Sequence, residues 1–399
     1  MRILLINELY RAGGAEVQTL REIGVLREHG HKVFHITFDN NLPRGWNEDH
    51  FNFHQENCNW HIKKMKRYFI DRKLKKELCQ IIESISPDLI HINNMTYKSV
   101  TVYSSIGKWK CIQTIRDFGA VCPRGLCVDL QYNACSGVKD KYCAGRCNSS
   151  GKIKHYLYLI MDQIYLNRVN KVRQTHIKNF ISPSQYLTDI CKNNHFDISC
   201  INNSFDFSAI DNFDKINIGD KKIYLVYGLV AKHKGIKLIV EAFELFSINR
   251  NVELRIIGKI DEPFKDEFMN LISKSKKIKY LGVMEYEEII EYLKSIYAVI
   301  VPSLWLENYP NTALEGLAMK CLVLGANRGG IPELIDDERF TFDILKKEDI
   351  INRLIYSYTL SNEEYKNIVL NNYSRVILNN NLRTYYERII NKFEQIIEC

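Results

Sequence analysis

Short apolar runs alternate along the chain with longer stretches in which apolar residues recur at helical spacing. The runs that predict strands in the first half are RILLIN, HKVFHIT, DLIHIN, KCIQTI and NFISPS, and those in the second half are KIYLVYG, VELRIIG, KIKYLG, AVIVPS and CLVLGA. Helices are predicted to begin near Ala15, Trp60 and Tyr97 and after Gly235, Glu262, Tyr286 and Asn311. Strands that alternate with helices in this way indicate parallel sheets built from βαβ units.

The stretch NNSFDFSAIDNFDKINIGDKK interrupts this pattern, because it has no clear period and many turn-forming residues. It predicts a linker, and the fold class is therefore α/β with two doubly wound, Rossmann-like parallel-sheet domains that join near residue 205. In such sheets, ligands bind outside the carboxyl ends of the strands. This rule selects ELYRAGGAEV, YGLVAKHKG and PSLWLENYPNT as candidate binding loops.

A chain of 399 residues is long enough for two domains, and 46% hydrophobic with 26% charged residues is typical of a soluble globular protein. No run of about 18 apolar residues occurs, so no membrane-spanning helix is expected. The start, MRILLINELY, meets polar Asn7 and Glu8 too soon for a signal peptide, which predicts a cytoplasmic protein. The net charge of +8 favours an anionic partner without identifying it.

Glycines and charged residues in the selected loops are the first candidates for chemistry. Gly13 and Gly14 precede a helix, where backbone can approach a ligand and N–H groups can face an anion; a tight turn alone explains them equally well. Lys234 lies at a helix start and can neutralise a phosphate. Glu307 and Glu315, with seven residues between them, either complement a helix dipole or contact one ligand together.

The order of these motifs resembles the retaining nucleotide-sugar glycosyltransferases of the GT-B fold, in the large fourth family of that grouping. The segments that carry the resemblance over nearly the whole chain are RAGGAEV, PDLIHIN, TIRDFGAVCPRG, FISPSQYL, INNSFD, YGLVAKHKGIKLIVEAF, ENYPNTALEGLA and GGIPELI. The resemblance implies an acceptor-binding domain at 1–204 and a nucleotide-sugar-binding domain at 205–375, facing each other across a cleft. It also implies a C-terminal helix at 376–399 that packs back on the first domain.

The resemblance implies roles for individual residues of the donor site. Glu307 would be a catalytic residue that hydrogen-bonds the donor sugar and stabilises rather than attacks, and Glu315 would accept from the ribose hydroxyls. The helix start at Asn311 and Thr312 would point N–H groups at the diphosphate while Lys234 supplies a positive charge. Such a site can stabilise the leaving nucleoside diphosphate without a divalent metal, and no D-x-D motif occurs in the sequence.

In the first domain, the resemblance implies that Gly14 contacts the donor, that Gly13 and Arg116 contact the acceptor, and that Asp117 is a catalytic carboxylate. The planar fork of Arg116 suits phosphate oxygens, although a structural ion pair explains it equally well. Two positions depart from the family pattern. Leu229 stands where an arginine is common, which removes one phosphate charge, and Arg116 replaces the histidine of a common His-Asp pair.

The segment NWHIKKMKRYFIDRKLKKELCQIIESI is the most basic part of the chain, and its apolar residues recur at helical spacing. A basic amphipathic helix at 62–82 can lie on an anionic membrane surface. The alternative is a solvated helix whose apolar side packs on the first domain. The resemblance favours the membrane, because acceptors in the family are often polyprenyl-diphosphate-linked sugars. No nucleic-acid partner is expected, since no reading motif accompanies the charge.

Five cysteines crowd into one insert at 122–147, namely Cys122, Cys127, Cys135, Cys143 and Cys147. Closely spaced thiols in a reducing compartment suggest a metal site rather than disulfides. No C-x2-C pair occurs, so the spacing does not decide between a structural zinc site and a lid beside the acceptor site. No cofactor is expected. His91 and Asn93 end a strand and are candidates to face the cleft without a catalytic role.

Together these features predict a cytoplasmic, metal-independent, retaining glycosyltransferase of the hexosyltransferase type, peripheral at the inner face of the membrane. It would transfer a sugar from a nucleotide-sugar donor to a polyprenyl-linked saccharide in surface polysaccharide biosynthesis, for lipopolysaccharide O-antigen or capsule. Two alternatives stay open. One is a nucleotide-sugar epimerase on the same fold. The other is a non-catalytic, membrane-associated partner subunit, which Leu229 favours and the Glu307 and Glu315 pair disfavours.

Overall fold

The chain forms two compact units in the computed structural model. The first unit is Met1–Ser204 with Leu382–Cys399, and the second is Phe205–Asn381. The structure describes residues 1–10, 13–42, 45–46, 48–56, 69–135, 143, 147, 151, 153–207, 210 and 220–398. Each unit contains one mainly parallel sheet with helices packed against it, as the alternating pattern predicts.

The sheet of the first unit contains, within the described residues, β1 (Arg2–Ile6), β2 (Lys32–Thr37), β3 (Gly45–Trp46), β4 (His50–Asn52), β5 (Leu89–Ile92), β6 (Cys111–Thr114), β7 (Asn179–Ser182) and β8 (Ile198–Cys200). Its strand order is β3-β4-β2-β1-β5-β6-β7-β8, and all neighbours pair in parallel except β3 and β4. β5 and β6 are buried along their whole length, which explains their continuous apolar runs. The chain order reverses between β1 and β5.

The described helices of the first unit before the linker are α1 (Gly14–Glu28), α2 (Arg72–Ile85), α3 (Ser99–Ser105), α4 (Ile153–His176) and α5 (Gln185–Lys192). Helices α2 and α3 contact each other, and α3 contacts α4, so these three form one layer. The long helix α4, which follows the cysteine-rich insert, is not predicted from the sequence.

The predicted basic helix at 62–82 is described only from residue 69, and residues 57–68, with the predicted helix start near Trp60, lie outside the described residues. Asp71 begins α2, because its carboxylate accepts the backbone N–H groups of Lys73 and Leu74. The apolar side of α2 is buried within the unit through Leu74, Leu78, Ile82 and Ile85. In this part of the segment, the apolar side therefore packs on the first domain and the basic side is exposed.

The sheet of the second unit contains, within the described residues, β9 (Lys222–Tyr227), β10 (Val252–Ile257), β11 (Ile278–Tyr280), β12 (Ala298–Val301), β13 (Leu322–Ala326) and β14 (Thr341–Phe342). Its order is β11-β10-β9-β12-β13-β14, with every pair parallel, and it reverses between β9 and β12. Its described helices are α6 (Ile236–Phe246), α7 (Lys265–Ser273), α8 (Tyr286–Leu293), α9 (Asn311–Ala318), α10 (Ile331–Ile335), α11 (Lys347–Thr359) and α12 (Asn362–Asn379).

The final helix, α13 (Leu382–Glu398), belongs to the first unit. Its side chains Tyr385, Ile389 and Phe393 share a core with Ile3 and Leu5 of β1. The predicted start of the returning segment at residue 376 is too early, because α12 runs to residue 379 within the second unit. The helix continues past the predicted boundary because Val376 is one of its buried residues, and the N–H of Asn380 closes its last turn on the Val376 carbonyl oxygen.

Among the described residues, no helix has both the length and the apolar character that crossing a bilayer requires.

Candidate functional site

The candidate site of the second unit lies at the carboxyl ends of β9 and β12, where the strand order reverses. Gly228 follows β9 and Gly258 follows β10, with φ of 113° and 135°. A Cβ on Gly258 would lie 1.7 Å from the Gly228 carbonyl oxygen, so these strand ends can meet only at glycine. Gly235, with φ of 72°, brings the loop after β9 against β12, because a Cβ there would lie 1.8 Å from the Pro302 carbonyl oxygen.

Three side-chain donors hold the carboxylate of Glu307. Its Oε1 accepts from Lys234 Nζ at 2.6 Å, from Ser303 Oγ at 2.5 Å and from Trp305 Nε1 at 2.7 Å. Burial raises the pKa of the Glu307 carboxyl, but the Lys234 charge and the three donors outweigh it and hold the pKa below its ordinary value. Glu307 is therefore ionised at neutral pH and acts as an acceptor, not as an acid.

The backbone of Glu307 is fixed by the glycine pair of GGIPELI. The Gly330 N–H donates to the Glu307 carbonyl oxygen at 2.7 Å. Gly329 has φ of 61°, and a Cβ there would lie 2.0 Å from the same oxygen. This turn holds the backbone of Glu307 in place, and it leaves no room for a side chain at Gly329.

Lys234 is predicted to neutralise a phosphate, and the structure pairs it with Glu307. Its ammonium also lies 4.3 Å from the centre of the Trp305 ring, within cation–π range. The side chains are partly buried, with exposures of 24% for Lys234 and 16% for Glu307. Lys234, which is predicted to bind phosphate, is thus also the ion-pair partner of Glu307, which is predicted to bind the sugar. The sequence does not reveal this contact.

Glu315 is buried in α9, and its Oε2 accepts from the Tyr227 hydroxyl at 2.8 Å. Burial, and then the charge of Glu315, raise the pKa of Tyr227 well above its ordinary value, so Tyr227 remains a donor. The Tyr227 hydroxyl also lies 3.1 Å from the Thr312 carbonyl oxygen. Tyr227 therefore orients Glu315, and the start of α9 at Asn311 and Thr312 lies beside it.

The second-unit residues predicted for the donor are thus brought onto one set of loops. Thr312 contacts the end of β9, where the loop begins, because its carbonyl oxygen lies 3.1 Å from the Tyr227 hydroxyl. Glu307 contacts the end of the same loop through Lys234. Sequence reasoning missed Tyr227, Ser303 and Trp305; the first ends β9 and the other two follow β12, so the strand-end rule selects their loops without singling them out.

In the first unit, Gly13 and Gly14 begin α1, as predicted, and both are exposed. Gly13 has an extended backbone and no side chain that could cap the helix. Glu16, in the first turn of α1, is buried close to this helix start. A Cβ on Gly13 would lie 3.4 Å from Glu16 Oε2. Burial raises the pKa of the Glu16 carboxyl, although the N–H groups of Glu16 and Gly13 act against it. The chain's own carboxylate therefore lies where an anion is predicted.

Arg116 and Asp117 line a cavity of about 250 Å³ within the first unit. Arg116 donates from Nε to Asn93 Oδ1 at 3.0 Å and from a terminal nitrogen to Asn203 Oδ1 at 3.1 Å. The carboxylate of Asp117 accepts the Gly119 N–H at 2.8 Å, and burial raises its pKa. A carboxylate with a raised pKa in a cavity is a candidate proton acceptor.

His91 and Asn93 do not face a cleft, because both are fully buried. His91 Nδ1 contacts Glu22 at 2.5 Å, and its Nε2 contacts the Thr114 hydroxyl at 2.7 Å. Glu22 also accepts from the Tyr385 hydroxyl of α13 at 2.8 Å. His91 therefore joins a buried polar network that links β5 to α1 and α13, which is a structural role.

Of the cysteine-rich insert, Cys122, Cys127, Cys135, Cys143 and Cys147 are described, together with residues 123–126 and 128–134. In the part of the chain that the structure describes, no three histidine, cysteine or acidic side chains are arranged to hold a metal ion. The described cysteines are all thiols rather than disulfides. Zinc and lid closure remain predictions for the insert as a whole.

Both sheets and the loops at their reversals are those of the GT-B fold, which confirms the predicted fold class. Residues 209–375, which make up most of the second unit, match the model of the family described as Glycosyl transferases group 1. This match includes all of the second-unit site residues described above.

Among proteins of known sequence, the chain is 24% identical over 357 residues to an uncharacterised 42.6 kDa protein of the cps region of Klebsiella pneumoniae, covering 84% of this chain and 87% of that protein. Among solved structures, it is similar to HepE of Anabaena in complex with UDP, with 15% identity, a TM-score of 0.73 and coverage of 99% and 100%. A glycosyltransferase of Rickettsia africae has 17% identity, a TM-score of 0.70 and coverage of 99% and 98%.

Proposed function

We propose that the chain is a retaining, metal-independent glycosyltransferase that moves a hexose from a nucleotide-sugar donor to a lipid-linked saccharide in surface polysaccharide biosynthesis. The observation that carries this proposal is the Glu307 carboxylate, fixed by Lys234 beside the start of α9. It lies in the region that matches the glycosyl transferase model. The UDP complex of HepE supports a nucleotide donor, and the cps-region relative supports a role in polysaccharide assembly.

Donor binding follows from the charges of the second unit. The N–H groups at Asn311 and Thr312 and the ammonium of Lys234 favour the diphosphate. Glu307, ionised and oriented by three donors, accepts from hydroxyls of the sugar. Glu315, oriented by Tyr227, accepts from the ribose. One sugar nucleotide would therefore contact both glutamates.

Departure of the nucleoside diphosphate requires positive charge near the leaving oxygens. Lys234 and the helix start would supply that charge without a divalent cation. The resemblance implies front-face attack, in which a leaving phosphate oxygen takes the acceptor proton. In that mechanism Glu307 stabilises the sugar as positive charge develops, which agrees with its lowered pKa.

The first unit would bind the acceptor in the cavity that Arg116 and Asp117 line. This cavity, which is lined by both polar and apolar residues, shares Cys122, Pro123 and Arg124 with a second cavity of about 210 Å³, whose other walls are mainly apolar residues of α4. A cavity with polar groups such as Arg116 and Asp117, beside a mainly apolar one, suits a saccharide head joined to a lipid chain. Asp117 would orient the attacking hydroxyl, and Arg116, like Gly13, would contact the acceptor, while Gly14 would lie toward the donor.

A peripheral position at the inner face of the membrane is supported by the exposed side of α4. Ile153, Leu157, Met161 and Ile164 are exposed by 78%, 53%, 47% and 59% and recur at helical spacing. An exposed apolar stripe of this kind favours the interfacial layer of a bilayer. The exposed basic side of α2 would add attraction to anionic lipid headgroups.

A non-catalytic, membrane-associated partner subunit is the second candidate. Leu229, in the loop after β9, is 45% exposed where an arginine is common in the family that the sequence resembles. The neighbouring Lys232 is exposed and would have to replace that charge. A subunit that kept the fold without catalysis would not require the Lys234–Glu307 pair.

A thermal-shift screen of the purified chain against a panel of nucleotide sugars, without added metal, tests donor binding. We expect one donor to raise the melting temperature, and Glu315→Ala to abolish the shift. Glu267→Ala, in the exposed α7, is the matched control and should leave the shift intact. A folded protein that responds to no donor would favour the non-catalytic partner subunit. If one donor binds, the second assay measures transfer of its sugar to a lipid-linked acceptor.

A further inference from the structure

A cavity of about 410 Å³ in the first unit is lined by α1, β2 and β4, and no step of the proposed sugar transfer uses it. Its volume falls within the roughly 300–1,000 Å³ that is typical of small-molecule sites. The helix α1 contributes two apolar side chains and one cation to its wall, Leu20, Ile23 and Arg27. The other described lining residues are Tyr10, His35, Glu48, Asp49 and His50. The cavity therefore combines an apolar wall with aromatic and charged groups.

The rings of Tyr10, His35 and His50 form a platform in this cavity. The His50 centroid lies 5.2 Å from the Tyr10 centroid and 5.2 Å from the His35 centroid, and the last two centroids are 5.9 Å apart. The ring planes lie within 35° of one another. A linear stack would hold its outer rings much farther apart than neighbouring rings, so these three rings form one surface. Tyr10 and His50 are partly exposed on it, and His35 is buried.

Hydrogen bonds behind the platform hold two of its members in place. The Tyr10 N–H donates to the Asp39 carboxylate at 3.0 Å. The Thr37 hydroxyl donates to Asn52 Oδ1 at 2.8 Å, and the same oxygen accepts the Asp39 N–H at 3.0 Å. Because the Thr37 proton is used in this way, its oxygen accepts from His50 Nε2 at 2.8 Å. The platform is therefore formed before a ligand arrives, which keeps the entropy cost of binding small.

His35 brings an unsatisfied polar atom to the cavity wall. Its Nε2 is buried and has no hydrogen-bond partner among the residues that the structure describes. Buried polar groups in proteins nearly always have a partner, because an unmade hydrogen bond is costly. Burial, and then the neighbouring His50 and Arg27, lower the pKa of His35 to about 3, so the ring is neutral at neutral pH. A neutral imidazole has one donor and one acceptor nitrogen, and a ligand hydroxyl can pair with either.

The charged groups of the wall disfavour an anionic ligand. A terminal nitrogen of Arg27 donates to the Val33 carbonyl oxygen at 2.9 Å and lies 3.5 Å from Asp49 Oδ2. Glu48 is exposed beside them, so two carboxylates accompany a single cation. A phosphate or a nucleotide would therefore be repelled. Carboxylate oxygens and guanidinium N–H groups instead suit the adjacent hydroxyls of a neutral ligand, which both accept and donate hydrogen bonds.

We propose that this cavity binds a neutral saccharide unit. The C–H groups on one face of the sugar ring would pack on Tyr10 and His50. Hydroxyls at the edge of the sugar would pair with His35, Arg27 and Asp49. If the first unit binds a saccharide acceptor, which rests on the proposed function, the cavity would hold a sugar of that acceptor that does not react. Binding of the saccharide itself does not depend on that function.

The test follows the ring signals of the full chain, labelled with ¹⁵N-histidine, by NMR during titration with the methyl glycosides of glucose, galactose, mannose and N-acetylglucosamine. The chain has 11 histidines, so the signals are assigned with His35→Gln, His50→Gln and His54→Gln. We expect at least one glycoside to shift the signals of His35 and His50. His54, which is exposed and does not line the cavity, should not respond. The corresponding uronic acid, with one carboxylate added to the same ring, should bind more weakly, and inorganic phosphate should shift neither signal.

Tyr10→Leu keeps apolar bulk but removes the ring, so it should weaken binding of the glycoside by about tenfold. The matched control His54→Leu should bind it as the wild type does. The proposal is overturned if no glycoside shifts either signal in the folded wild type, if Tyr10→Leu binds with unchanged affinity, or if phosphate binds more tightly than the glycosides. The thermal shift with nucleotide sugars is measured in parallel. Its absence beside intact glycoside binding would count against the proposed transferase function and leave this site standing.

Discussion

The Lys234–Glu307 ion pair gives the sharpest prediction about the donor site, because one pair connects the two charges on which the proposal depends. The perturbations are Glu307→Gln, Lys234→Met and the double substitution. Glutamine keeps a carbonyl oxygen for Ser303 and Trp305 but removes the charge that Lys234 faces at 2.6 Å. Methionine keeps much of the lysine volume and removes its charge.

The magnitude follows from the burial of the pair. Both side chains are less than a third exposed, so solvent screens them less than a surface pair. A hydrogen bond to a charged group contributes about 1.5–3 kcal/mol, so each single substitution should weaken nucleotide-sugar binding by about 10- to 100-fold. Because the two residues touch, the double substitution should lose less than the sum, with a coupling energy of about 1–3 kcal/mol.

The assay is calorimetric titration of the four proteins with the donor that the thermal-shift screen identifies. The exposed pair Lys237 and Glu267, joined at 3.0 Å in the same unit, provides a matched control cycle in which we expect no measurable coupling. Strictly additive losses at Lys234 and Glu307 would refute the reasoning, since they would mean that the pair does not act as one unit in donor binding. Unchanged affinity in both single variants would remove Glu307 from the donor site altogether.

Three further predictions concern the second unit and its stability. Tyr227→Phe removes the donor to Glu315 and should weaken nucleotide binding by about tenfold, with calorimetry as the readout and little change in melting temperature expected. Gly258→Ala should lower the free energy of unfolding by at least about 2 kcal/mol in urea titrations. The reason is that the φ of 135° and the carbonyl oxygen of Gly228 leave no room for a Cβ. The control Gly24→Ala, with open space around it, should not destabilise the protein. Burial raises the pKa of Glu253, but three cationic neighbours outweigh it and lower the pKa to about 2. This contribution to stability is therefore present above the unfolded pKa of about 4.3 and is lost as the pH falls toward 2, so melting curves of Glu253→Gln should show a weaker dependence on pH in that range. A variant with the wild-type acid dependence would contradict this assignment.

Most of the strands that the sequence predicts are buried on both sheet faces, which leaves a continuous apolar run; the short β11, with an exposed lysine at its centre, is an exception. The strand β5, LIHI, is buried throughout. Its one polar side chain, His91, forms hydrogen bonds with Glu22 and Thr114. The strands β3, β4, β8 and β14 have two or three residues each, too few for any period to register. The helix α4 escaped prediction because one side is buried and the other carries exposed apolar residues, so no polar face marks its period.

The sequence predicts which residues form the candidate site, but it does not predict which of them contact each other. The loops were selected by the strand-end rule, and Lys234 and Glu307 lie on them, whereas Glu315 lies in the helix α9 that follows. Lys234 and Glu307 are 73 positions apart, and they meet because Gly235 allows one loop to approach the carbonyl of Pro302. That approach depends on the absence of a single Cβ, which composition and spacing do not encode. The burial of His91 was not predictable for a similar reason, since its partner Glu22 also accepts from Tyr385, which lies on α13, 363 positions from Glu22.

The return of α13 to the first unit determines the order in which a newly synthesised chain can complete its structure. Residues 1–204 leave the ribosome first, but their core includes Ile389 and Phe393, which are made only after the whole second unit and are fully buried. The second unit is continuous in sequence and can finish folding while the first still exposes the apolar surface that α13 covers. The first unit can therefore complete its core only after α13 has been synthesised, and a stop codon before residue 382 would damage the unit whose larger part was synthesised first.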